Sequence, residues 1–205
     1  VLASLSDPAG FYIREIIDLS AHEADGRFLE GTGSLVLDRV HRIAYACLSA
    51  RTDVELLAEF GHRMNYETVA FNATDEHGVP IYHTNVMMSV GSDFAVLCEE
   101  AIGAVVQREA LRRKLEESGH EVIAISRAQM GAFAGNVLEL STTAGERVIA
   151  LSGSAADSLD DGQRERLASR ARLVIAEIPT IEQKGGGSVR CMLAEVYLPA
   201  AARPA

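Results

Sequence analysis

A unit of about fifty residues recurs along this chain, and a repeat of that length restricts the possible folds more than any other feature. "SLVLDRVHRIAYACLSA" (34–50) reads as two strands joined by a short polar turn. "DVELLAEFGHRM" follows with apolar residues at helical spacing, then the single strand "ETVAFNAT". The order returns in "VMMSVGSDFAVLCEEA" (86–101), turning at Gly91-Ser92-Asp93, with the helix "AVVQREALRRKLEESG" and the strand "EVIAIS" behind it. Gly119 suits the residue just past that helix, where a left-handed backbone is favoured. A third hairpin, "VLELSTTAGERVIALSG" (137–153), leads to a helix over about 157–171 and the strand "RLVIAEI". Each unit is strand–strand–helix–strand, which sets the fold class as α/β. "FYIREIIDL" reads as the tail of an earlier unit, and an apolar strand after Cys191 as the start of a later one.

One polar residue precedes each hairpin: Glu30, His83, Asn136 and Cys191, at spacings of 53, 53 and 55. In a radial repeat, equivalent positions face a common axis. A carboxylate, an imidazole, an amide and a thiol are therefore expected to meet in one place. A lone histidine or cysteine near a strand is ordinarily structural. The shared phase of four such residues favours a functional reading.

The 205 residues suffice for one domain spanning 1–205 with a substantial core. A net charge of −10 argues against nucleic acid or an anionic membrane surface as partner. No apolar run is long enough to span a bilayer, and no basic n-region followed by an apolar h-region opens the chain, so no signal peptide is expected. Cys47, Cys98 and Cys191 show neither CxxC nor Cys/His metal spacing. These features point to a reducing, cytoplasmic compartment, with no metal and no cofactor. The opening "VLASLSDPAG" resembles the end of a helix, so an N-terminal part is expected to be missing. Oligomeric state is left open.

Other candidates read as structural. His22, His41, His62, His77 and His120 fall in polar turns or helix ends and are expected at the surface. Cys47 and Cys98 lie inside apolar strands, where burial makes thiols inert. "REALRRKLEESG" forms a solvated helix face with i,i+4 pairs Arg112–Glu116 and Arg113–Glu117. "SLDDGQRE" opens a helix with Ser158 at or next to the N-cap.

"FLEGTGSLVLD", "YHTNVMMSVG", "FAGNVLEL" and "GGGSVRCMLAE" resemble, in order, segments of the guanidino-modifying enzyme superfamily. This superfamily comprises arginine deiminases, dimethylarginine hydrolases and amidinotransferases, built as a five-bladed α/β propeller (the pentein fold). The sequence is most similar to its arginine-deiminase-related branch of bacterial citrulline-utilisation hydrolases. The resemblance implies that Cys191 is a nucleophile, His83 a general acid and base, and Glu30 the acidic partner of His83. It implies no metal and no cofactor, and a small amino-acid substrate, citrulline or arginine-like.

The chain departs from the arginine deiminases twice. They carry Glu-Gly-Gly-Asp where this sequence has Glu30-Gly31-Thr32-Gly33, and an Asp where it has Asn85. A buried carboxylate suits a guanidinium cation and is left unpaired by a neutral ureido group. An Asn amide donates and accepts, matching the NH2 and C=O of a ureido group. Asn85 therefore favours citrulline, hydrolysed to ornithine. Arg190 and His83 are candidate cations beside the Cys191 thiolate, Asn136 and Arg190 candidate substrate contacts, and the N–H groups of Gly185 to Gly187 a close approach to substrate. The alternatives are arginine deimination, dimethylarginine hydrolysis, amidino transfer, or a non-catalytic propeller of the kind used by a ribosome anti-association factor.

Overall fold

The structure is a computed structural model and describes residue 5 and residues 10–200. The helix end expected over 1–10 lies mostly outside these residues. Three sheets of three strands follow one another, and each is built the same way. In the first unit, β1 (Val36–Asp38) pairs antiparallel with β2 (Ile43–Cys47), which pairs in parallel with β3 (Glu67–Phe71). The parallel step is bridged by helix α1 (Val54–Met64). The second unit contains β4 (Met88–Val90), β5 (Phe94–Leu97), α2 (Val105–Glu117) and β6 (Glu121–Ala124). The third contains β7 (Leu138–Ser141), β8 (Arg147–Ser152), α3 (Asp161–Arg170) and β9 (Arg172–Ala176).

The middle strand of each sheet is covered on both faces and reads as a continuous apolar run. Every residue of β2 and of β5 is buried. One hydrophobic cluster joins the three units through Tyr45, Met88, Phe94, Leu97, Ile123 and Ile149. The helix of each later unit covers the outer strand of the unit before it. Lys114 on α2 reaches Glu67 on β3 at 2.6 Å, and Arg166 on α3 reaches Glu121 on β6 at 2.7 Å.

Local signals explain the helix limits. The Asp53 carboxylate caps α1 by accepting from the N–H groups of Glu55 and Leu56. Gly119, with φ +85°, follows α2 as expected. The α3 cap differs from the sequence expectation: it is Asp160, not Ser158. Asp160 and Gln163 form a reciprocal capping box, whereas Ser158 ends a short helix, Gly153–Ser158. Arg112 pairs with Glu116 at 3.0 Å and grips Glu99 as well, while no Arg113–Glu117 ion pair forms among the described residues.

Three further corrections concern the strands. The first strand of each of the first two hairpins is shorter than the apolar run, because a helical turn precedes it at Gly31–Ser34 and at Thr84–Met87. The segment after Cys191 is irregular, since no ladder of hydrogen bonds runs along it. "FYIREIIDL" is likewise not a strand. These two segments meet at a single bridge, Phe11 with Ala200, where the Tyr12 N–H donates to the Pro199 carbonyl at 2.8 Å. His120, expected at the surface, is buried at 3% exposure. No helix among the described residues is long and apolar enough to cross a membrane.

Candidate active site

The helical turns that shorten the inner strands also position the repeat residues. Glu30 directly precedes the first turn and His83 the second. Asn136 closes a tight turn before β7, its N–H donating to the Phe133 carbonyl. Cys191 lies in a 3-10 turn, Val189–Met192. Hydrogen bonds fasten these turns to one another. The buried Thr84 hydroxyl donates to the Ser34 carbonyl, and Asn85 Nδ2 donates to the Thr32 carbonyl at 3.0 Å. Asn136 Nδ2 donates to the Asn85 carbonyl at 2.9 Å. Side chains separated by more than fifty residues are thereby held in one rigid patch.

Within the patch, His83 Nε2 and Glu30 Oε2 are 2.6 Å apart. A carboxylate at this distance fixes the orientation of the imidazole ring. The His83 side chain is 17% exposed and its other ring nitrogen has no partner among the described residues. That nitrogen is free to exchange a proton with a reactant. Gly33 is required here, because a Cβ would stand 2.8 Å from three ring atoms of His83. Arg51 approaches Glu30 at 3.4 Å from the solvent side.

Cys191 is exposed, whereas Cys47 and Cys98 are buried. Burial pushes the Cys47 thiol up to about 11 and raises that of Cys98. The Cys191 sulfur faces both ends of the Asn136 amide, 3.2 Å from Nδ2 and 3.6 Å from Oδ1. The amide therefore matches either state of the sulfur: Oδ1 accepts from a thiol and Nδ2 donates to a thiolate. Gly187 lies against the same atom, since a Cβ there would come within 3.1 Å of Sγ. The Tyr82 phenol donates to the Gly186 carbonyl at 3.1 Å, and its ring tilts over His83 at 4.9 Å. Burial pushes that phenol up, so it stays a neutral donor.

Two expected contacts are spent elsewhere. Arg190 turns away from Cys191, donating to the Leu193 carbonyl at 3.3 Å and pairing with Glu195 at 3.2 Å. It lines a cavity of about 210 Å³ between the inner strands β1, β4 and β7. The Gly186 N–H is also engaged, by the Glu182 carbonyl. Asn85 is buried, with Nδ2 taken by Thr32 and Oδ1 unpartnered. Oδ1 and the second Nδ2 hydrogen remain on this side chain, one acceptor and one donor. Sequence reasoning passed over Arg51, Tyr82 and Gly33; of these only Tyr82, next to His83, had a positional signal.

A family profile described as "N,N dimethylarginine dimethylhydrolase, eukaryotic" matches residues 2–198. No curated protein matches the chain at a significant level. Among solved structures, the chain is similar to the substrate-bound N-terminal domain of ArgZ, an arginine dihydrolase from the ornithine-ammonia cycle in cyanobacteria. The TM-score is 0.66 at 18% identity, covering 96% of this chain and 65% of that one. The ArgZ domain covalently bound to a reaction intermediate gives 0.67 at 18% identity, over 98% and 65%. Unliganded AgrE gives 0.64 at 18% identity, over 85% and 23%. The chain spans less than two thirds of the length of each of these structures. At such identities the likeness speaks for the fold alone.

Proposed function

The chain belongs to the N,N-dimethylarginine dimethylhydrolase family, and from that premise we propose that it is a cysteine-dependent hydrolase of a guanidino C–N bond. The observation that carries the reading is the Glu30–His83 pair at 2.6 Å on the same fastened set of turns as the exposed Cys191. In this reading the Cys191 thiolate attacks the central guanidino carbon. His83, held by Glu30, gives a proton to the departing amine. A thiouronium-type intermediate remains on Cys191. His83 then takes a proton from water, which attacks the same carbon and releases the thiolate. With dimethylarginine the products are citrulline and dimethylamine; with arginine they are citrulline and ammonia.

Guanidino substrates come first because the family profile is that of a guanidino hydrolase, and the unpartnered Asn85 Oδ1 is an acceptor for guanidinium N–H donors. Citrulline is the second reading, favoured by the neutrality of the Asn85 amide beside an uncharged ureido group. We read Asn136 as the residue that orients Cys191, and Arg190 as a structural anchor of its turn. The three units are assigned to a five-bladed ring in a single domain, which the Phe11–Ala200 bridge between the two ends of the described chain supports. Unpaired cysteines are compatible with a cytoplasmic setting.

The test is to incubate the protein separately with dimethylarginine, arginine and citrulline, and to follow products by mass spectrometry beside Cys191→Ser. Citrulline formed from either guanidino compound, and absent with Cys191→Ser, supports the main reading. Ornithine from citrulline alone moves the assignment to the ureido hydrolase. No product from any of the three overturns both.

A further inference from the structure

At the far end of β1 from Glu30 lies a second cluster of titratable side chains that the proposed chemistry does not use. Asp38 ends β1, His41 sits in the turn to β2, and His120 precedes β6 of the next unit. One ligand atom from each lies within 4.8 Å of the others. We propose that Asp38, His41 and His120 form a divalent-metal site, suited to Zn²⁺, that clamps the first unit to the second.

The donor set fits. Two imidazoles and one carboxylate are ordinary zinc ligands, and imidazole also suits the neighbouring transition metals. The carboxylate is prepared for the role. Its Oδ1 accepts from the N–H groups of Val40 and His41 at 3.0 and 2.9 Å, which fixes the group. Oδ2 then points between the rings, 2.8 Å from His41 Nδ1 and 3.7 Å from His120 Nε2. His120 is prepared from behind. Its Nδ1 faces the Leu115 carbonyl at 3.3 Å and the Ser118 hydroxyl at 3.0 Å. A ligating histidine characteristically donates its other N–H to such a group, which leaves the inner nitrogen as the ligand.

That inner nitrogen, Nε2, faces oxygens only: Gly91 carbonyl at 3.1 Å and Asp38 Oδ2. A cation placed among them satisfies all of these lone pairs at once. Asp38 and His120 are almost fully buried, with side chains 3% and 1% exposed, whereas His41 is 43% exposed. The half-open histidine provides the entry path and the movement needed to close the coordination shell, and water completes it.

The proposal stands independently of the hydrolase reading, and its test is arranged to keep the two apart. Cys191→Ser removes the only exposed thiol, so zinc bound at the candidate active site does not confuse the count. After loading with Zn²⁺ and dialysis against metal-free buffer, Cys191→Ser is expected to retain one metal per chain. Adding His41→Ala should weaken that binding by about tenfold or more. His41 is exposed and lies in a turn, so this variant is expected to fold, as circular dichroism will check. Loading with Co²⁺ should give tetrahedral visible bands without thiolate charge transfer, and Zn²⁺ should raise Tm only while His41 is present. Failure to retain zinc, or retention unaffected by His41→Ala, overturns the proposal and leaves these residues as a hydrogen-bonded cluster between units.

Discussion

Asn136 reaches Cys191 across 55 positions of chain, with Nδ2 3.2 Å from the sulfur while the same nitrogen donates to the Asn85 carbonyl. Both hydrogens of one amide are therefore in use, one on the backbone of a neighbouring turn and one on the Cys191 sulfur. An aspartate in its place keeps the size of the side chain but removes both donors and sets a negative charge beside the sulfur. Asn136→Asp should slow native-state alkylation of Cys191 by about tenfold or more, since like charges disfavour a thiolate. Iodoacetamide labelling followed by mass spectrometry measures this; a rate equal to wild type would remove Asn136 from the account of the thiol.

The same labelling separates the three cysteines. Native protein at neutral pH should take up one adduct, on Cys191, because burial raises the Cys47 and Cys98 thiols and hides them from reagent. Denatured protein should take up three. A native adduct on Cys47 at a comparable rate would contradict the burial of β2.

Glu30→Gln leaves a hydrogen-bonding group of the same shape but removes the charge that orients His83. Turnover of the preferred guanidino substrate should fall by about 10²-fold or more, the range general acid–base groups contribute. KM should change far less than kcat, since Glu30 acts through His83. Steady-state kinetics provides the comparison, with the exposed Glu76→Gln as a charge control.

Gly33→Ala pushes a methyl group to within 2.8 Å of the His83 ring. The ring must move off Glu30 or the turn must shift, at a cost of about 1–3 kcal/mol. Activity should drop along with urea stability. Gly103→Ala, where a Cβ meets nothing, should do neither.

Glu182 gives the stability a pH dependence near the Cys191 loop. Burial pushes its carboxyl up, but hydroxyls of Ser152, Ser154 and Ser188 outweigh this and hold it below the usual 4.5. Ser154 and Ser188 each donate at 2.7 Å. A depressed folded value means the stabilisation is complete above about 4.5 and is lost as pH falls through the folded value. At pH 7, Glu182→Gln should cost about 1–3 kcal/mol in urea denaturation, with the difference from wild type shrinking in acid.

The repeat, the strand order within each unit and the shared phase of Glu30, His83, Asn136 and Cys191 were legible because they rest on periodicity, which a sequence carries directly. The fine placement was not. Val86 and Met87 are apolar and continue the run of β4, yet they coil into a turn because Thr84 and Asn85 find partners in the first unit. His120 looked like a polar helix end, and only the packing of two units buries it against Asp38. Arg190 lies next to Cys191 in sequence but is drawn away by Glu195, four residues beyond the sulfur. The engaged amide of Asn85 was invisible for the same reason: its partner is 53 positions away.

Hydrogen bonds between turns of successive units have a consequence for how this protein tolerates change. Each candidate catalytic group hangs from a different repeat, and each repeat is registered to its neighbour by side chains one or two positions from that group. A shift of one unit against the next would break Thr84 from Ser34 or Asn136 from Asn85. The Asn136 contact with Cys191 is thus a gauge of alignment between units far apart in sequence.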